Sequence, residues 1–106
     1  MKDRMRKDME RGRLAAAMVS SALGTSLDEV MAGNRSMKVI FTRQVAMYLT
    51  AAGLGLSYCR AAMAFGCDPS TVAHACRVIE VKRDEPRFDR WLDLLEQALV
   101  QAPVLA

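Results

Sequence analysis

Between Phe65 and Arg77 the chain has little freedom in what it can become. Gly66 supplies the backbone angles of a sharp turn. Asp68 is a residue type that caps helices, and Pro69 then falls at the first helical position, where its missing N–H costs nothing. Beyond it Val72, Ala75, Cys76 and Ile79 recur at i, i+3, i+4 and i+7, a single apolar stripe that requires a core to face. The opposite side carries Ser70, Ala73, His74 and Arg77, which are small or hydrogen-bonding. A helix with that outer face can approach a nucleic-acid groove closely and donate hydrogen bonds there. Just upstream, Leu54-Gly55-Leu56-Ser57 reads as a linker ending in an N-cap, and Tyr58 to Phe65 as a short helix offering Ala61, Ala62 and Phe65 to the core. A short helix, a glycine turn and a second helix make a helix-turn-helix. Spacing alone is weak support for DNA binding, because many small helical domains contain such a pair.

The rest of the chain fits the same architecture. At 106 residues and 52% apolar, it is long enough for one domain with one core. Ala, Leu, Met and Val dominate and aromatics are 6%, which favours packed helices over strands. A first helix is expected from Asp3 to Ala22, ended by Gly24, and a short second from Leu27 to Met31 behind Thr25 or Ser26. A third runs from Val39 to Ala52, burying Ile40, Val45, Met47, Tyr48 and Leu49. The motif pair follows, its second helix reaching Lys82 or Arg83. Asp84-Glu85-Pro86 breaks the chain before an amphipathic helix from Arg87 to Val100, whose apolar face is Phe88, Trp91, Leu92, Leu95 and Leu99. The expected fold class is all-α, a compact multi-helix domain containing a helix-turn-helix. Residues 1–13 are expected to be a charged helical extension, 14–100 the domain, and 101–106 a flexible tail.

The formal net charge is +3, and its placement matters more than its size. Residues 1–13 hold Lys2, Arg4, Arg6, Lys7, Arg11 and Arg13 against Asp3, Asp8 and Glu10. The segment from Asn34 to Arg43 holds Arg35, Lys38 and Arg43 with no acid, and such a local excess is what phosphate contact needs. Residues 80–90 mix both signs and read as a solvated face. Cys59, Cys67 and Cys76 are odd in number and far apart, so reduced, mostly buried thiols are expected, with a redox role for Cys67 as the lesser reading. His74 alone completes no zinc site of familiar spacing. No apolar run is long enough to span a membrane and the basic start lacks a leader's cleavage site, so the expected location is cytoplasmic, at the nucleoid. Met1, Met5 and Met9 repeat every four residues, either a self-contact or a face for a partner protein.

Three runs, in order and spacing, carry a resemblance: Gly24-Thr25-Ser26-Leu27-Asp28-Glu29-Val30-Met31, then Arg43-Gln44-Val45-Ala46-Met47-Tyr48-Leu49, then Ser70-Thr71-Val72-Ala73-His74-Ala75-Cys76-Arg77-Val78-Ile79-Glu80. From about Leu14 to Leu99 the chain resembles the C-terminal, domain IV DNA-binding domain of DnaA, the bacterial replication initiator. The segment Arg83-Asp84-Glu85-Pro86-x-Phe88-Asp89 and the Leu-rich last helix are similar to free-standing proteins built on that domain, including DNA-binding halves of gene-transfer-agent activators. The resemblance implies a second motif helix in the major groove of double-stranded DNA, with Asp68, Pro69, Ser70 and Thr71 reading bases and His74 and Arg77 beside them. It implies phosphate contacts from Arg43, from the Arg35 to Lys38 loop and from Ser57. The initiator's Gly-Gly-Arg-Asp-His run is here Gly66-Cys67-Asp68-Pro69, which replaces an arginine by Cys67 and a thymine-contacting histidine by Pro69. The family's minor-groove arginine falls on Phe41, for which an apolar wedge is the alternative. No Walker motif is present, so no nucleotide, cofactor or ATP-dependent origin opening is expected.

Dull alternatives stand beside these roles. Asp68 reads equally as an N-cap, Cys76 and Trp91 as core, and Ser70 with His74 lacks an acid partner for catalysis, so no enzyme is expected. The preferred expectation is a sequence-specific DNA-binding transcription regulator, an activator needing a separate protein to contact RNA polymerase. The alternative is a protein-interaction module that modulates replication initiation without tight specific DNA binding.

Overall fold

The computed structural model describes residues 2–102, and the elements over that span are helical: α1 (Lys2–Leu23), α2 (Leu27–Ala32), α3 (Met37–Tyr48), a π-helical turn (Leu49–Gly53), α4 (Tyr58–Phe65), α5 (Pro69–Lys82) and α6 (Pro86–Gln101). The all-α class and the helix-turn-helix, α4 with α5, are as expected. Met1 of the methionine repeat and residues 103–106 of the expected tail lie outside the described residues. Serines set three of the helix starts. Ser26, Ser36 and Ser57 stand in extended conformation ahead of α2, α3 and α4, and each hydroxyl accepts a first-turn N–H, from Glu29, Val39 and Arg60. Glu85 does the same for α6, its carboxylate accepting from Arg87 and Phe88.

The third helix departs from expectation at both ends. Ser36 starts it at Met37 rather than Val39, and it ends at Tyr48 instead of running to Ala52. The Leu54 N–H bonds the Leu49 carbonyl five residues back, while the Thr50 hydroxyl donates to the Ala46 carbonyl at 2.8 Å. The last turn is thus a π turn, with a glycine at its end. Gly53 also lets α6 approach, since a Cβ there would meet Glu96 Cγ at 3.2 Å. Ile40, expected in the core, is exposed; Val39, Thr42, Val45 and Ala46 form the buried face instead.

α4 is held between α1 and α5, α3 crosses both α1 and α5, and α6 closes over the π turn and α1. The shared core is built on Val19, Val30, Val45, Met47, Leu49, Val72, Ile79 and Leu92, with alanines such as Ala16 and Ala61 bringing backbones close. Where α1 crosses α4, Gly12 is buried against Ala64 and Phe65. One turn earlier, Arg60 grips Asp8 with two parallel bonds of 2.8 Å, Nε to Oδ2 and Nη2 to Oδ1. The Arg60 guanidinium holds the buried Asp8 carboxyl below the usual carboxylate range, against the opposing effect of burial. Residues 2–13, expected as a charged helical extension, form the first half of a helix that continues unbroken to Leu23 and packs on α4.

Residues 80–90 are not simply a solvated face. Arg83 is drawn inward, donating to Asp89, to Asp93 and to the Tyr48 hydroxyl at 3.0 Å, while Tyr48 donates to Glu80 at 2.9 Å. This network binds the end of α5 to the start of α6 across α3. Trp91 is half-buried against Phe88, whose ring in turn meets Phe41 at 6.1 Å between centroids.

Two outcomes test the α1–α4 junction. A Cβ on Gly12 would lie 2.9 Å from Ala64 Cβ. Gly12→Ala is therefore expected to destabilise by about 1–3 kcal/mol despite alanine's better helix propensity, and Ala64→Gly in the same chain should recover part of that loss in a denaturation cycle. For Asp8, the folded carboxyl is depressed, so its contribution is present above the unfolded value near pH 4 and disappears as pH falls through the lower folded one. Asp8→Asn should be less stable than wild type at neutral pH, with the two unfolding curves converging in acid.

Candidate nucleic-acid interface

Gly66 ends α4 at φ 66°, a left-handed angle that favours glycine, with its N–H and that of Cys67 returning to carbonyls of α4. The chain then reverses through Asp68 into Pro69, the first residue of α5. Asp68 sits at the N-cap position but its carboxylate makes no cap bond; the Thr71 and Val72 N–H groups go to its backbone carbonyl instead. The expectation of a side-chain cap is corrected, and the carboxylate stays exposed at the tip of α5. The stripe of Val72, Ala75, Cys76 and Ile79 is buried as expected. Pro69, Ser70, Thr71, His74 and Arg77 are all exposed along the opposite edge.

The acid-free segment is ordered by its own polar groups. Asn34 Oδ1 accepts the Ser36 N–H at 2.8 Å, and the Thr42 hydroxyl donates to the Lys38 carbonyl at 2.8 Å. Arg35 and Lys38 are left exposed with no carboxylate bound to them among the described residues. Gly33 and Asn34 at the start of this segment line one shallow groove with Thr71, His74 and Ala75 of α5. Ile40, Arg43, Gln44 and Met47 of α3 complete its lining. Gly33 and Asn34, which lead into the basic loop, and the outer edge of α5, far apart in sequence, thus border one groove. Ile40 and Gln44 escaped the sequence reading; their four-residue spacing on α3 was the available signal, masked by treating Ile40 as core.

Arg43 is not a free cation in that groove. Its Nη1 donates to the carbonyls of Val30 at 2.6 Å and Met31 at 3.1 Å, its Nη2 to that of Phe65 at 2.7 Å, and it lies 5.6 Å from the Phe65 ring centroid. Its geometry is that of a clamp on two helix ends, in place of the expected phosphate contact. Phe41 is likewise engaged, half-buried against Phe88 with the Lys82 ammonium 5.5 Å from its ring, which removes the apolar wedge. The Ser57 hydroxyl accepts its cap bond from Arg60 and keeps its own proton to donate outward. Tyr58 beside it is exposed and was not singled out from sequence.

The cysteines differ from one another. Cys59 is exposed, against expectation, because it points outward on the first turn of α4; Cys67 is half-buried and Cys76 buried. Burial pushes both the Cys67 and Cys76 thiols up, and for Cys67 this outweighs Arg43 nearby, which argues against a reactive thiolate there. Among the described residues no cluster of three His, Cys, Asp or Glu side chains could hold a metal ion. No helix among them is long and apolar enough to cross a membrane. Because Arg43 satisfies carbonyls that α2 and α4 leave open, Arg43→Ala is expected to lower stability by about 1–3 kcal/mol without DNA present. Arg43→Lys should rescue little in the same thermal melt, since one ammonium cannot span three carbonyls.

Residues 15–79 match the helix-turn-helix of the bacterial DnaA protein. Over 93 residues the chain is 34% identical to the chromosomal replication initiator protein DnaA of Lachnoclostridium phytofermentans, a match covering 85% of this chain and 20% of that protein. It is 37% identical over 71 residues to chromosomal replication initiator protein DnaA 1 of Chlamydia pneumoniae, covering 67% of this chain and 15% of that one. The chain therefore spans a fifth or less of these curated relatives. A crystal structure of a DNA replication initiation factor superposes with a TM-score of 0.82 at 23% identity, over 93% of this chain and 31% of that one, and supports the fold. The chain belongs to the bacterial DnaA helix-turn-helix family.

Proposed function

We propose that this protein binds double-stranded DNA sequence-specifically and regulates transcription, acting as an activator with a separate protein that contacts RNA polymerase. The observation that carries the DNA reading is the common groove that joins Gly33 and Asn34, at the foot of the basic loop, to Thr71 and His74 of α5. In this reading the outer edge of α5 enters the major groove. Ser70, Thr71 and His74 supply hydrogen bonds to base edges, and Arg77 extends the contact along the helix. Asp68 and Pro69 form its tip, where an unbonded carboxylate suits the amino group of cytosine and proline contributes shape. Arg35 and Lys38 neutralise phosphates on one side, and the Ser57 hydroxyl with the open N–H groups of α4 binds one on the other. Arg43 acts through position, keeping these two sides at fixed spacing. Support for activation is narrower, resting only on the resemblance, read from the sequence, of the Arg83 to Asp89 segment and last helix to DNA-binding halves of gene-transfer-agent activators.

One observation favours a different role. Phe41 replaces the family's minor-groove arginine and is packed away, while Cys67 and Pro69 replace two further contacting residues. These changes suit an interaction module acting on replication initiation without tight specific binding. Selection of binding sites from random duplexes, followed by titration at several salt concentrations, separates the two. A specific regulator should prefer a selected site over random DNA by about a thousandfold or more. Thr71→Ala or His74→Ala should then cost on the order of 1–3 kcal/mol at the selected site and little on random DNA. Arg35→Ala and Lys38→Ala should weaken both equally and reduce the salt slope by about one unit each. Equal affinity for all sequences would support the interaction module.

A further inference from the structure

Away from the DNA face, the structure exposes a cluster of methionines. Met5 and Met9, one turn apart on α1, are 43% and 51% exposed, and Met63 on α4 is 55% exposed. Together with Ala64 they line two adjoining depressions, one running toward Met31 of α2 with a volume of about 430 Å³, the other reaching Met63. Three helices thus frame a concave apolar surface of soft, adaptable side chains, the kind that accepts a helix from another protein.

The charges around it point to the occupant. The carboxylates on its rim are already engaged: Asp8 with Arg60 at 2.8 Å and Glu10 with Arg6 at 3.3 Å. Lys2, Arg4 and Arg13, which line the same depressions, have no carboxylate partner among the described residues. An uncompensated cationic rim repels a second copy of this chain and attracts an acidic ligand. Concavity favours a helical ridge over a flat lipid surface. We propose that this surface docks an acidic amphipathic helix of a partner protein, with apolar residues at i, i+3 or i+4 and i+7 seated on Met5, Met9 and Met63, and carboxylates pairing with Lys2, Arg4 and Arg13. α4 lies between α1 and α5, so the methionine surface is not continuous with the outer edge of α5. The inference does not depend on the DNA reading.

The test uses the full chain with its methionine methyl groups labelled for NMR, and two synthetic helical peptides that share a leucine stripe but carry glutamate or lysine elsewhere. The expected result is saturable shifts of the Met5, Met9 and Met63 methyl signals with the glutamate peptide and none with the lysine peptide. Met9→Glu, Met63→Glu and Arg4→Glu should each weaken that binding about tenfold or more, the last keeping the apolar surface intact. Absence of binding, equal binding of both peptides, or shifts confined to signals outside this patch would overturn the proposal. So would random duplex DNA or phosphatidylglycerol vesicles moving the same three methyl signals more strongly than the peptide, which would assign the rim to phosphates.

Discussion

Arg43 donates from one nitrogen to the carbonyls of Val30 and Met31 and from the other to that of Phe65, so a single side chain holds the last turns of α2 and α4. Helix C-termini leave carbonyls open and carry partial negative charge, and a planar cation with forked donors answers both needs. Each of these helices ends at a glycine, Gly33 or Gly66, and opens into a segment of the proposed interface. Gly33 leads to the Arg35–Lys38 loop and Gly66 to the tip of α5. The guanidinium therefore ties the two segments together, alongside the packing of α3 on α5. A DNA backbone offers phosphates at fixed intervals, and a rigid spacing avoids the entropy of ordering the loop on binding.

The other long-range polar contacts fix the helices around this frame. Asp8 with Arg60 seats α1 on the first motif helix, and Arg83 with Tyr48, Asp89 and Asp93 seats α6 on the end of the second. Close approach accompanies both: Gly12 of α1 lies against Ala64 and Phe65 of α4, and Gly53 of the π turn lies against Glu96 of α6. The motif is gripped from behind by α1 and from its far end by α6. Its outer edge is left to solvent.

Helix order, the caps at Ser26 and Ser57, and the buried stripe of α5 were legible because they follow from local spacing and local chemistry. The destinations of Arg43, Arg60 and Arg83 were not. Their partners lie 22, 52 and 35 residues away, and an arginine in a basic run looks the same whether it meets phosphate or a carbonyl. Ile40 was misplaced for a related reason: a helix face open to a groove and one closed by a neighbour share the same periodicity. The π turn after Tyr48, closed by the Leu54 N–H on the Leu49 carbonyl, is a backbone choice that propensity does not reveal. Within the site, Thr71, His74, Arg35 and Lys38 are exposed where sequence put them, while Asp68 lost its capping role and Arg43 its freedom.

The central claim is that the loop before α3 and the outer edge of α5 form one DNA-binding face. Amide shift mapping of the labelled protein during titration with a duplex, at low and then moderate salt, tests it most directly. The expected result is a contiguous set of shifts over residues 34–38, at Ser57 and its neighbours, and along 68–77, with those on α5 surviving the higher salt on a selected site. Shifts centred on α1 or α6, or confined to the loop while α5 stays unperturbed, would contradict it.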